Sequence, residues 1–204
     1  MRQFLYTSLM ILGMGTGCAS QAPLPVDHYY RLPEADSSAQ RAVQLSNAIF
    51  VGQLETDGLH QERAILYSED ENAIELKQYH YHHWADSPPR LIRDYLVTYL
   101  RKVNAADLVV TSLDDYVDLT VAGKIVRFER KNTTEQPAVM VELVLRLDRR
   151  NESKPLLLKT YPVTVKMEDE SMQAAAGAFA GALSGIFSDF YQDMKAVLEQ
   201  SSVK

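Results

Sequence analysis

Few residues in this chain are placed to do chemistry. Three histidines crowd into Tyr79-His80-Tyr81-His82-His83-Trp84. On a strand, alternate side chains share a face, so His80 and His82 would point the same way. Two imidazoles so placed can hold zinc or copper, but the sequence offers that pair no clear third ligand. The other reading is a polar strand end that runs into a helix start at Ser87, with Trp84 plugging the junction. Ser184 sits among glycines in Gly181-Ala-Leu-Ser-Gly185, yet the spacing is not that of a nucleophile elbow and no strand precedes it. The chain has no phosphate-cradling glycine loop, no His-Glu-x-x-His and no paired cysteine. The sequence therefore points to no catalytic residue, no metal ligand and no cofactor, and to a protein that is not an enzyme. What remains is one thiol, Cys18.

Cys18 closes a stretch built for export. Arg2 is followed by the apolar runs Phe4-Leu5-Tyr6 and Leu9-Met10-Ile11-Leu12, then by the glycine-rich residues 13–17. A positive start, a short apolar core and a small-residue exit make a secretory signal, and that core is too short to span a bilayer. A cysteine at the exit resembles the attachment site of bacterial lipoproteins, where signal peptidase II cuts before the cysteine and the thiol receives diacylglycerol. Thr16 and Gly17 fit the last two positions before the cut, whereas Gly15 stands where leucine is usual. The alternative is an ordinary signal peptide with an incidental cysteine. The lipoprotein reading makes residues 1–17 a signal peptide and residues 18–27 a lipidated N-terminus and tether. Ala19 and Ser20 after the cysteine, in place of Asp, point to the outer membrane, facing the periplasm. Each buried methylene contributes about 0.8 kcal/mol, so two or three acyl chains, palmitate among them, form a durable anchor.

Charge and composition narrow the rest. Removing residues 1–17, which contain Arg2, leaves 187 residues with 20 basic and 27 acidic side chains, a net charge of −7. That length suits one domain, assigned to residues 28–200. An acidic surface argues against nucleic acid, whose binding is driven by Lys and Arg at phosphates. With no second cysteine the domain forms no internal disulfide, so an ordinary apolar core must hold it.

The elements that would position these residues read as follows. Residues 28–32 form a Tyr-rich strand stopped by Pro33, and residues 48–54, 64–67 and 73–81 form three short strands. Ser87-Pro88-Pro89 opens a helix, with Ser as N-cap and Pro in the first turn. Leu91, Ile92, Tyr95, Leu96, Tyr99, Leu100 and Val103 recur behind it at helical spacing. Residues 107–113 read as a buried strand, and 116–131 with 137–150 as a pair around a polar turn. In the latter, Val139, Val141, Leu143, Leu145 and Leu147 alternate with polar or long side chains, which predicts one buried face. Residues 154–167 continue the meander, with Leu157, Tyr161, Val163, Val165 and Met167 on one face and Pro162 suited to an edge. The predicted fold is a single α+β domain, a mostly antiparallel sheet covered by two helices.

The second helix spans roughly residues 171–199, and its first eighteen residues carry no charge. Gly177, Gly181 and Gly185 fall four apart and line one side, a pattern that allows close backbone approach. The surface they meet is either the domain's own sheet or a neighbouring subunit. A partner or subunit contact is thus expected at Gly177, Gly181 and Gly185, and Trp84 is a further candidate.

Together these parts resemble the ABC-type transport auxiliary lipoproteins, the family of the paraquat-inducible protein C lipoprotein. The features carrying the resemblance are Cys18, the Tyr29-Tyr30-Arg31-Leu32 strand, Arg63-Ala-Ile-Leu-Tyr67, Trp84 before a Pro-led amphipathic helix, the meander and the Ala-rich last helix. The stretch 53–61 departs from the family in lacking a proline before Arg63. The resemblance implies a non-catalytic outer-membrane lipoprotein that serves, as a possible homo-oligomer, an MCE-domain protein and an inner-membrane permease in lipid transport. Two other classes stay open: a periplasmic lipid-binding or chaperone lipoprotein acting alone, and a periplasmic hydrolase.

Overall fold

The computed structural model describes residues 24–34, 44–69, 74–112, 116–133 and 137–201, so Cys18 lies outside the described residues. In chain order the elements are β1 (His28–Tyr30), β2 (Ser46–Val51), β3 (Glu55–Thr56), a 3-10 turn (Gly58–Gln61), β4 (Ala64–Ser68), β5 (Lys77–Trp84), α1 (Pro88–Lys102), β6 (Ala106–Val110), β7 (Leu119–Lys131), β8 (Ala138–Arg149), β9 (Leu157–Lys166) and α2 (Met172–Ser201). They form one α+β domain with a single curled sheet and two helices.

The sheet is mixed, which corrects the expectation of a mostly antiparallel one. Five of its strand pairs are parallel (β1–β5, β2–β6, β2–β7, β3–β7, β4–β7) and three are antiparallel (β4–β5, β7–β8, β8–β9). The reason lies in the length of β7. One of its edges is taken along its whole length by β8. The other is shared end to end by the short strands β2, β3 and β4, with Ile49 opposite Leu119, Glu55 opposite Lys124 and Leu66 opposite Glu129. Alternation in a sequence reports which face a strand buries and is silent on the direction of its neighbours.

Where alternation was clear the burial follows it. Val139, Val141, Leu143, Leu145 and Leu147 of β8 are all buried. Tyr161 and Met167 are buried on the β9 face, where Leu157, Val163 and Val165 pack half-buried against the core. Pro162 falls on β9, which pairs only with β8 and so has a free edge where a missing N–H costs no ladder bond. Residues 107–113 differ from expectation. β6 is an edge strand beside β2 alone, and Asp107 and Leu108 are exposed.

The helices complete the core. Ser87 takes the N-cap position of α1 in extended conformation; its carbonyl accepts from the Arg90 and Leu91 amides (3.1 and 2.9 Å), although its side chain makes no cap bond. Ile92, Leu96, Val97 and Leu100 are buried, with Leu91, Tyr95 and Tyr99 half-buried against them. The helix ends in a Schellman turn in which Asn104 adopts φ 51°, the Ala105 amide reaches Leu100 O (3.0 Å) and the Asn104 amide reaches Arg101 O (3.1 Å). Ser171 caps α2, its Oγ accepting from the Ala174 amide at 3.0 Å. Phe179, Leu183, Ile186, Phe187 and Phe190 of α2 then fill the space over β8 and β9. No helix among the described residues is long and apolar enough to cross a membrane.

Candidate functional site

The histidine run lies on β5, the partner of the edge strand β1, in the register His28–His82, Tyr29–His83 and Tyr30–Trp84. The rings of His28 and His82 stack at 5.3 Å, and Tyr30 Oη bonds His82 Nδ1 at 2.9 Å. His82 thus turns to β1 rather than joining His80 in a ligand pair, and His80 and Tyr81 are exposed. Burial, then the charges of His28, His83 and Arg130, push the His82 imidazole below its ordinary value. No group of three His, Cys, Asp or Glu residues among the described residues is placed to hold a metal. Arg63 clamps the same corner: its Nε donates to Trp84 O at 3.1 Å and its guanidinium lies 5.1 Å over the Tyr29 ring. Sequence reasoning gave Arg63 no role, because its two partners lie 34 residues before it and 21 after it.

Trp84 plugs the junction, as one reading held. It is 1% exposed and packs 5.3 Å from both Phe128 of β7 and Phe179 of α2. The contact role does not survive this placement, since a partner cannot reach a ring sealed between sheet and helix.

Gly177, Gly181 and Gly185 stand on the outer face of α2. A Cβ at any of them would meet nothing within 4 Å, so packing on the domain's own sheet is excluded as their purpose. The larger side chains from Ala175 to Phe190 take the inward face instead. The outer face is bounded by α1 and by β9. On the α1 side, Ser184 Oγ donates to Ala180 O at 2.8 Å and lies 3.3 Å from Tyr95 Oη, which makes it a link between helices rather than a nucleophile. On the β9 side a groove of about 520 Å³ runs beside Gly177 and Gly181, lined also by Val165, Gln173, Ala174 and Ala178. Further along, Asp193 of α2 accepts from Lys159 Nζ and Tyr161 Oη of β9, both at 2.7 Å. Burial alone would raise the Asp193 carboxyl, but these two bonds and the Lys159 charge hold it below its usual range. Burial, then the Asp193 bond and charge, drive the Tyr161 phenol well above its usual value.

The chain belongs to the family described as the ABC-type transport auxiliary lipoprotein component, whose profile matches residues 30–189. Among solved structures it is similar to a Xanthomonas campestris protein of the DUF330 family, with 18% identity and a TM-score of 0.72 over 87% of this chain and 100% of that one. An uncharacterised protein gives 11% identity and a TM-score of 0.63 over 82% of this chain and 98% of that one. At these identities the likeness concerns the fold. None of the curated proteins matches the chain.

Proposed function

We propose that this protein is a lipid-anchored docking module of an envelope transport system, with no catalytic step of its own. The observation that carries the reading is the family match across residues 30–189. In this reading signal peptidase II removes residues 1–17 and Cys18 carries the acyl chains. Residues 19–27 then hold the domain to the periplasmic face of the outer membrane. The partners are an MCE-domain protein and an inner-membrane permease that move lipid between the membranes.

The outer face of α2 is the contact surface of this module, for that partner or for a neighbouring copy in a ring-like homo-oligomer. A glycine inside a helix costs about 0.5–1 kcal/mol relative to alanine. Gly177, Gly181 and Gly185 gain nothing from the core in return, and what offsets that cost is a second backbone brought close.

Gly181→Leu tests the surface. The monomer is expected to stay folded, with a melting temperature no lower than that of the wild type, while self-assembly, or capture of an MCE-domain protein encoded beside it, is lost in analytical ultracentrifugation and pull-down. Assembly and capture that both persist would overturn the role of this face. For the anchor, Cys18→Ser is expected to move the exported protein from the membrane pellet to the soluble fraction, and mass spectrometry of the wild type should show a diacylglyceryl group on an N-terminal Cys18.

A further inference from the structure

Arg130 is the only buried cation among the described residues, 6% exposed at the end of β7. Its Nη2 donates to Glu170 O at 2.8 Å, and its Nη1 reaches only the Met172 sulfur at 3.7 Å. The guanidinium lies 6.0 Å over the Tyr79 ring, and Nε meets no acceptor among the described residues. No carboxylate of the described residues pairs with it. Asp169 feels its charge, but that carboxylate is committed to the Ser171 amide at 2.7 Å, and its bonds to Ser171 are the larger cause of its low pKa. A guanidinium taken out of water this far is ordinarily matched by an anion.

The side chain lines a pocket of about 360 Å³ together with Tyr79, Asn132, Thr133, Pro137 and Glu170. Asn132 Nδ2 donates to Tyr79 Oη at 2.7 Å, which leaves the Tyr79 proton to be given to another acceptor. Asn132 Oδ1 is itself buried with no donor among the described residues. The pocket thus sets a cation and an O–H donor beside a spare acceptor. That combination fits an oxyanion that also bears a hydroxyl. Glu170, exposed at the mouth, is the charge that opposes it.

We propose that this pocket binds a phosphate-type oxyanion, with the Arg130 guanidinium and the Tyr79 hydroxyl donating to its oxygens and Asn132 Oδ1 accepting from its hydroxyl. The ligand is either a phospholipid headgroup or free phosphate, and the site stands on this geometry whether or not the transport reading holds. Sequence reasoning passed over it because Tyr79 and Arg130 are 51 residues apart and meet only when β4, β5 and β7 pair.

Isothermal titration of the full-length protein in non-ionic detergent tests it. One arm uses inorganic phosphate and the other glycerophosphoglycerol, the deacylated headgroup of phosphatidylglycerol. The wild type should bind at least one probe. Arg130→Met should weaken that binding at least about tenfold, and Tyr79→Phe by several-fold. Glu170→Gln should tighten it by removing the opposing charge. Tighter binding of the headgroup assigns the site to lipid, and equal or weaker binding of it assigns the site to free phosphate. Should Arg130→Met fail to fold, the Tyr79 and Glu170 variants decide. The proposal is overturned if neither probe binds the wild type, or if binding is indifferent to the folded variants.

Discussion

Glycines at two places in this chain have opposite surroundings, and at the residue scale that contrast makes a sharp prediction. A Cβ at Gly123 would come within 2.6 Å of Val144 O, 2.9 Å of Leu145 Cδ2 and 3.1 Å of Leu54 Cδ2. The closest of these is backbone, which cannot turn aside, so Gly123→Ala should cost about 1–3 kcal/mol in urea unfolding. At Gly181 the same methyl meets open space. Gly181→Ala should therefore stabilise the isolated monomer by about 0.5–1 kcal/mol, seen as a melting temperature about 1–4 °C higher. A destabilised Gly181→Ala would mean that α2 packs differently. The glycine spacing in α2 was plain in the sequence, but its setting was not. A missing side chain shows what the residue lacks and says nothing of what stands opposite. For the same reason Gly123, the crowded one, carried no signal at all.

At the scale of elements, the β1–β5 pair is held by groups that titrate. His82 faces the His28 ring and the Tyr30 hydroxyl from β1, the Tyr79 ring and His83 along β5, and the more distant charge of Arg130 from β7. With burial the largest cause, its folded value lies below the ordinary 6.5. The paired strands then bind fewer protons than the separated ones, so stability of the pair is full above the free histidine value and falls as the pH drops through it. His83 also lies 3.6 Å from Asp27, an exposed carboxylate whose attraction is screened by solvent. The Ala85 amide, which bonds Tyr30 O at 2.7 Å, is the reporter. Its hydrogen-exchange protection, corrected for intrinsic rate, should drop between about pH 7.5 and 5, and His82→Gln should flatten that dependence. Unchanged protection in the wild type would refute the argument. The existence of both strands was legible from their Tyr- and His-rich runs. Their parallel pairing was not, because β2, β3 and β4 lie between them in the chain and no local pattern encodes which distant strands meet.

At the scale of the molecule, one apolar cluster joins all the major elements, from Ile49 of β2 through Leu96 of α1 and Val121 of β7 to Met194 of α2. Strand β7 closes it by pairing with residues about 60 to 70 positions earlier, as in Ile49–Leu119 and Leu66–Glu129. No separate core exists among the described residues that could melt alone. Unfolding in urea should therefore follow a single transition. The fluorescence of Trp84, the chain's one tryptophan, should coincide with far-UV circular dichroism. Two separated transitions would divide the domain. The order of parts that carried the family resemblance is a property of this scale, which is why it was readable while the site was not. The glycine face, the Arg130 pocket and the Arg63 clamp depend on which distant residues meet. The order of elements depends only on local patterns laid end to end.

The placement of β1 also has a mechanical consequence. A pull arriving from the N-terminal side of the domain meets a strand of three residues, bonded along one edge only, with His28 and Tyr29 exposed and Tyr30 half-buried at the rim of the core. Such a strand gives way at a load the main sheet does not feel. Its release frees residues 28–34, about 23 Å of additional slack, while Trp84 and the helices stay in place. In the anchored reading proposed above, with tension arriving through Cys18, β1 is a fuse: it yields first, takes up strain, and re-forms when the tension falls.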